Sequence, residues 1–340
     1  MVIAAAGLVL VPLSPEFIER VYATSFYPAL QADLTSWSNL TSLSLFDALI
    51  ATVAVLFIAA WWRCLRQAWR RRAFAGVARA AWRTVVLAAV FYLWFALAWG
   101  LNYARAPIEH AIGFHATRVT PAALRALAER ATTEVNARYA AAHQNGFPAI
   151  GDVPPALVTA LHQVEQRLGR PRATVPSRAK RTLLAHFFRA SGVDGMHAPF
   201  LLETLLNPDL TGPERPAVLA HEWAHLAGYA PEADASFVGL LAALRADPGS
   251  QYSAWLVLFE QSVGQLPRQE QRRLVERLDD GPRADRRAIE NRLEARVGVV
   301  AQASWETYDQ YLKSQGVDEG VESYTRVVEL LLGAGALDWP

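Results

Sequence analysis

Thr211-Gly212-Pro213-Glu214-Arg215-Pro216-Ala217-Val218-Leu219-Ala220-His221-Glu222-Trp223-Ala224-His225-Leu226-Ala227-Gly228 reads as one complete helix with both ends marked. Thr211 can cap the first turn, and Pro213 and Pro216 fall where a missing N–H costs little. Gly228 can close the helix as a left-handed cap. Val218, Leu219 and Trp223 supply apolar packing. His221 and His225 are four apart, which puts both imidazoles on one face. Two such nitrogens reach a single Zn²⁺ at about 2.0–2.1 Å. Glu222 points toward the same cleft, where its carboxylate can take a proton from water that the metal has made acidic. That division of labour is the physical content of the spacing His-Glu-x-x-His.

A third protein ligand is expected to follow. The next segment is Tyr229-Ala230-Pro231-Glu232-Ala233-Asp234-Ala235-Ser236. Pro231 opens a new helix, and Glu232 and Asp234 both lie in its first turns. Either carboxylate can fold back onto the metal, leaving one position for water or substrate. A third histidine is excluded at the third residue after Gly228, where Pro231 stands.

Working outward, Leu45–Trp62 is almost wholly apolar, and Thr84–Leu101 carries no charge. Each is about 18 residues, enough to cross a hydrocarbon core as a helix. Trp61 and Trp62 mark one end of the first, and Trp82, Trp99 and Tyr103 flank the second, where amphipathic rings prefer to lie. Between the two runs, residues 63–83 hold Arg63, Arg66, Arg70, Arg71, Arg72, Arg79 and Arg83 and no acid. Such a loop is retained in the cytoplasm, which places both outer flanks, including residues from about Asn102 to Pro340, on the other side. Val2–Leu13 is apolar but short and lacks a preceding basic residue, so it reads as a clipped first span or an interfacial helix. If it crosses, Glu16–Ser44 forms a short external segment. The expected organisation is an N-terminal segment over 1–43, a transmembrane hairpin over 44–104 and an extracytoplasmic helical domain over 105–340.

Composition agrees with a folded, partly membrane-bound chain of 340 residues: 52% hydrophobic, 19% charged. The net charge of +1 gives no general attraction to nucleic acid. The one cysteine, Cys64, excludes a disulfide framework and any multi-cysteine metal site. After Arg105, helices are expected over Pro121–Gln144, Pro154–Leu168, Pro213–Gly228, Glu232–Ala246, Tyr252–Leu266 and Arg268–Leu278. A long charged helix is expected from Pro282 to about Ser314, and a last one from about Glu319 to Leu332. Strand signals are scarce, so the fold class is mainly α, with at most a small hairpin near the site.

Several stretches carry a family resemblance: Trp99-Gly100-Leu101-Asn102-Tyr103-Ala104-Arg105, Ala198-Pro199-Phe200 with Glu203, His221-Glu222 with Ala224-His225, Gly228-Tyr229, Glu232-Ala233-Asp234-Ala235-Ser236-Phe237, Tyr308-Asp309-Gln310-Tyr311-Leu312-Lys313 and Ser323-Tyr324. On these the chain resembles an uncharacterised bacterial membrane family, a domain of unknown function with His-Glu-x-x-His after N-terminal spans. It departs from that family at Ala233, Ser236 and Leu201, where an acid, an asparagine and a threonine are usual. Glu232-x-x-Ala235-Ser236 is also similar to the Glu-x-x-Ala-Asp stretch of gluzincin peptidases. Together the two resemblances imply a membrane-anchored zincin-like domain in the bacterial cytoplasmic membrane, and the gluzincin likeness favours Glu232 as third ligand, with Asp234 the alternative that the residues leave open. In gluzincins the final acid supports a ligand histidine; Ser236 holds that place here.

The expected function is therefore a membrane-anchored zinc metallopeptidase acting on peptide or protein near the membrane surface, with the lipid bilayer as its other partner. The alternative is a non-catalytic membrane protein whose external helical domain binds a partner, with zinc structural or absent. A peptidase needs a donor for the developing oxyanion, and His197, Tyr308, Tyr324 and Arg326 are the candidates. Glu203 can line the cleft. His110, His115, His143, His162 and His186 have no partner at ligand spacing and read as surface residues.

Overall fold

The computed structural model describes residues 1–2, 13–71, 74–294, 296–315 and 326–339. Most of Val2–Leu13, Tyr324 and the first part of the expected last helix lie outside these residues.

Two long antiparallel helices, α2 (Leu45–Arg71) and α3 (Ala75–Ala98), follow α1 (Tyr27–Ser38). The indole N–H of Trp61 donates to Thr84 Oγ1 across the hairpin at 3.1 Å. Both are long and apolar enough to cross a membrane, and none of the most apolar stretch of α2 and 11% of that of α3 is buried in the protein. A core helix of a soluble domain would instead be covered.

The remainder is mainly helical. Its centre is α7 (Arg215–Leu226), packed against α8 (Glu232–Leu244), α9 (Pro248–Gly264) and a small sheet, with α9 lying along α4 (Pro121–Asn145). Trp223, Phe237, Tyr252 and Phe259 are fully buried there. Helix starts follow their caps: Thr120 Oγ1 accepts from the Ala123 amide at 3.1 Å and Asp247 from Ser250. Ahead of α7, Glu214 accepts from the Thr211 amide at 2.8 Å and the Thr211 hydroxyl at 2.9 Å. The other α-helices of seven or more residues among the described residues are α5 (Pro155–Arg167), α6 (Ala185–Ser191), α10 (Arg268–Glu276), α11 (Asp280–Leu293), α12 (Gly298–Ser314) and α13 (Val327–Ala334).

The sheet has the order β1-β3-β2, with β1 (Ala179–Lys180), β2 (Gly195–Ala198) and β3 (Glu203–Leu206). β2 and β3 form an antiparallel hairpin with Gly195 opposite Leu206, and β1 adds in parallel, Lys180 opposite Leu205. The hairpin was expected; the parallel third strand was not.

Two departures have clear causes. The single charged helix expected over Pro282–Ser314 is two. Val297 is extended (φ −90°, ψ 107°), its amide donates to Ala190 O at 3.0 Å, and Gly298 starts afresh, so the chain turns where a β-branched residue meets a glycine. The expected external segment is mostly helical and joins the globular core. Ile18, Tyr22 and Tyr27 are buried in it, Tyr27 Oη donates to Leu226 O at 2.9 Å, and Thr35 Oγ1 donates to Leu202 O at 3.1 Å.

A fully buried ion pair ties the hairpin to the sheet. Lys180 on β1 pairs with Glu203 on β3, both side chains 0% exposed. The ammonium also donates to the carbonyl and hydroxyl of Ser38, each at 2.9 Å. The carboxylate accepts from the Ser38 hydroxyl at 3.0 Å and from the amides of Leu45 and Phe46, at 3.2 and 2.7 Å, in the first turn of α2. Glu203 thus caps α2 rather than lining a cleft, and its charge faces the positive end of the helix dipole.

Candidate metal centre

The last turn of α7 is held from outside, because its carbonyls have no partner within the helix. Leu226 O takes the Tyr27 hydroxyl, and His225 O takes the Gly228 amide at 2.7 Å and the Trp99 indole N–H at 3.3 Å. Gly228 is left-handed (φ +83°), and a Cβ there would meet Asn102 Oδ1 at 2.7 Å. This turn lets the chain double back so that Glu232, first residue of α8, faces the histidines. Arg105, just beyond α3, braces the turn by donating to Gly228 O at 2.9 Å while paired to Glu19 at 2.8 Å.

His221 Nε2 and His225 Nε2 lie 3.1 Å apart, and Glu232 Oε2 is 3.1 and 3.3 Å from them. Ligand atoms around a tetrahedral zinc with bonds of about 2.0–2.1 Å are about 3.3–3.4 Å apart. The three atoms therefore have close to the mutual spacing such an ion imposes. Glu232 Oε2 is buried and makes no hydrogen bond despite two nitrogens so near, which an ion between them would resolve. His225 Nδ1 faces the Tyr229 carbonyl at 2.9 Å, so it must carry the proton, leaving the Nε2 lone pair free in the neutral ring. His221 Nδ1 lies 3.2 Å from Ser236 Oγ, which can accept from it. The residues fit a zinc ion.

Electrostatics agree with a site built for positive charge. Burial disfavours the charged form of His225, but the Glu232 carboxylate outweighs it and pushes His225 up to about 9. Burial likewise acts against ionised Glu232, and the two histidines reverse this, holding it well below the usual carboxylate range. Glu222 is buried against β2 and has one oxygen, Oε2, without a partner. Burial pushes it up to about 6, with His221 and His225 pulling the other way. A Cβ on Gly195 would stand 2.6 Å from Glu222 Oε1, so any larger residue there makes the Glu222 carboxylate shift.

The other candidates separate. Asp234 is not among the converging atoms; burial pushes its carboxyl up to about 7, beside Glu109, Arg105 and Arg326. Tyr308 on α12 donates to Glu232 Oε1, holding that carboxylate from its far side. Arg326 pairs with Glu109. The His197 ring on β2 packs tilted against Trp99, with ring centroids 5.1 Å apart and both nitrogens buried without hydrogen bonds. Burial, with His225 nearby, holds it neutral. Sequence reading missed Trp99, Arg105 and Gly195 as parts of the site. The first two stand at the exit of an apolar run, where an aromatic and a cation are already explained by the membrane interface, and Gly195 looks like any loop glycine.

A family model matches residues 22–332, that of DUF3810, proteins of unknown function. No curated protein and no solved structure matches the chain. With nearly the whole chain covered, from the buried helical residue Tyr22 to the last helix, the protein belongs to the DUF3810 family.

Proposed function

We propose that this protein is a membrane-anchored zinc metallopeptidase of gluzincin type. The observation that carries the reading is the convergence of His221, His225 and Glu232 at 3.1–3.3 Å, beside a carboxylate left free of ligation. Zn²⁺ bound there supplies a Lewis acid that polarises a carbonyl and makes water acidic near neutral pH. Glu222 takes the proton from the attacking water and passes it to the leaving amine. Ser236, the Tyr229 carbonyl and Tyr308 orient the ligands.

A structural zinc is closed by four protein ligands, and three converge among the described residues, which favours the catalytic reading over a zinc staple. The two long helices are read as a transmembrane hairpin in the bacterial cytoplasmic membrane. The arginines between them lie inside and the metal domain outside. The packing of residues 18–38 onto α7 agrees, since both flanks of the hairpin must then share one side. The test is hydrolysis of a peptide library by the full chain in detergent. Glu222→Gln is expected to keep its zinc and lose cleavage. Cleavage equal to the parent's would refute the mechanism.

A further inference from the structure

From residue 99 to 339, the large apolar side chains exposed among the described residues are Leu183, Phe187, Val297 and Val299. They are far apart in sequence, but backbone amide hydrogen bonds tie their segments to α2 and to α6. The Leu183 amide donates to Asp47 Oδ2, in the first turn of α2, at 2.8 Å. Phe187 is one helical turn further along α6, and the Val297 amide bonds to Ala190 at the other end of that helix. Leu40 and Leu43, 80% and 72% exposed, sit on the short link that leads into α2. Leu183 and Val299 are 80% and 81% exposed, although the rest of the domain hides its large apolar residues. Arg178 and Arg181, both exposed, lie just before Leu183 in the chain.

We propose that these residues form a collar, around the point where α2 enters the bilayer, that dips into the lipid interface. The occupant is lipid because the patch is continuous with α2, whose apolar face is itself uncovered. Leu40, Leu43, Leu183, Phe187, Val297 and Val299 reach the acyl boundary, while Arg178 and Arg181 meet phosphate groups. The domain then lies on the membrane instead of swinging above it. The metal centre is held beside the end of α3, where the Trp99 ring is 6.1 Å from that of His225. The proposal rests on the membrane-anchored reading above.

The test uses the full chain in phosphatidylcholine–phosphatidylglycerol nanodiscs, with Cys64→Ser as background. Nitroxide labels are attached singly through Leu183→Cys, Val299→Cys, Val55→Cys and Arg272→Cys. All four positions are exposed, so the fold tolerates the labels. Val55 reports the middle of α2, and Arg272 the α10 surface, where no large apolar side chain is exposed. The ratio of oxygen to water-soluble nickel-chelate collision rates is expected to be several-fold higher at 183 and 299 than at 272, approaching that at 55. Ratios at 183 and 299 equal to that at 272, with 55 still in lipid, would overturn the collar and leave the spans standing. An aqueous ratio at 55 as well would overturn the membrane anchoring and the collar with it.

Discussion

Removing either member of the Lys180–Glu203 pair is expected to destabilise the junction between the hairpin and the domain, and unequally. Both side chains are fully buried, so solvent does not screen the charge left behind. Losing one partner of such a pair costs about 3–5 kcal/mol, against about 0–1 for a surface pair. In Lys180→Met the Glu203 carboxylate keeps the Ser38 hydroxyl and the amides of Leu45 and Phe46. Its cost should fall near the lower end, about 3 kcal/mol. In Glu203→Gln the ammonium keeps Ser38 and meets a neutral carbonyl oxygen in place of its counter-charge, while the new amide N–H₂ faces the Phe46 N–H. The cost should approach about 5 kcal/mol. The double variant Lys180→Met/Glu203→Gln should lose less than the sum, because groups in contact are not additive. Thermal unfolding of the full chain in mild detergent reads this out. Midpoints are expected to fall by roughly 5–15 °C, with Glu203→Gln lowest of the singles. Both singles melting within about a degree of the parent would refute the buried-junction argument.

Gly195→Ala puts a methyl 2.6 Å from Glu222 Oε1, so the carboxylate must retreat by roughly 0.8 Å to ordinary contact. Misplacement on that scale is expected to lower kcat by about 10- to 100-fold with zinc content unchanged, measured by peptide turnover and metal analysis on one sample. Tyr308→Phe removes the hydroxyl that holds Glu232 Oε1 and should weaken zinc binding by roughly tenfold in a chelator competition. Gly228→Ala strains a residue at φ +83° and collides with Asn102, for an expected loss of at least about 1 kcal/mol in the same unfolding assay.

The parts of the site that were legible in sequence are those coded locally. His221, Glu222 and His225 follow from helical spacing and Gly228 from the need for a left-handed cap, while proximity after the turn leaves Glu232 or Asp234, with Glu232 preferred on the gluzincin likeness. The two apolar runs announced α2 and α3 in the same way. What escaped depends on contacts distant in sequence. Lys180 meets Glu203 across a parallel strand pair, and Arg105 reaches Gly228 from another element. Gly195 matters only because Glu222 lies against it. The break at Val297 is settled by a tertiary hydrogen bond to Ala190 as much as by helix propensity.

The central claim is that His221, His225 and Glu232 hold one zinc ion and leave a position open. Zinc content and zinc-edge X-ray absorption on the full chain in detergent test it most directly. The account predicts one equivalent per chain, with two imidazole nitrogens, one protein carboxylate and one further light-atom ligand at about 2.0–2.1 Å. The ion should be lost in His225→Ala and retained in Glu222→Gln. A parent that binds no zinc, or a fourth ligand traced to a protein side chain, would contradict it.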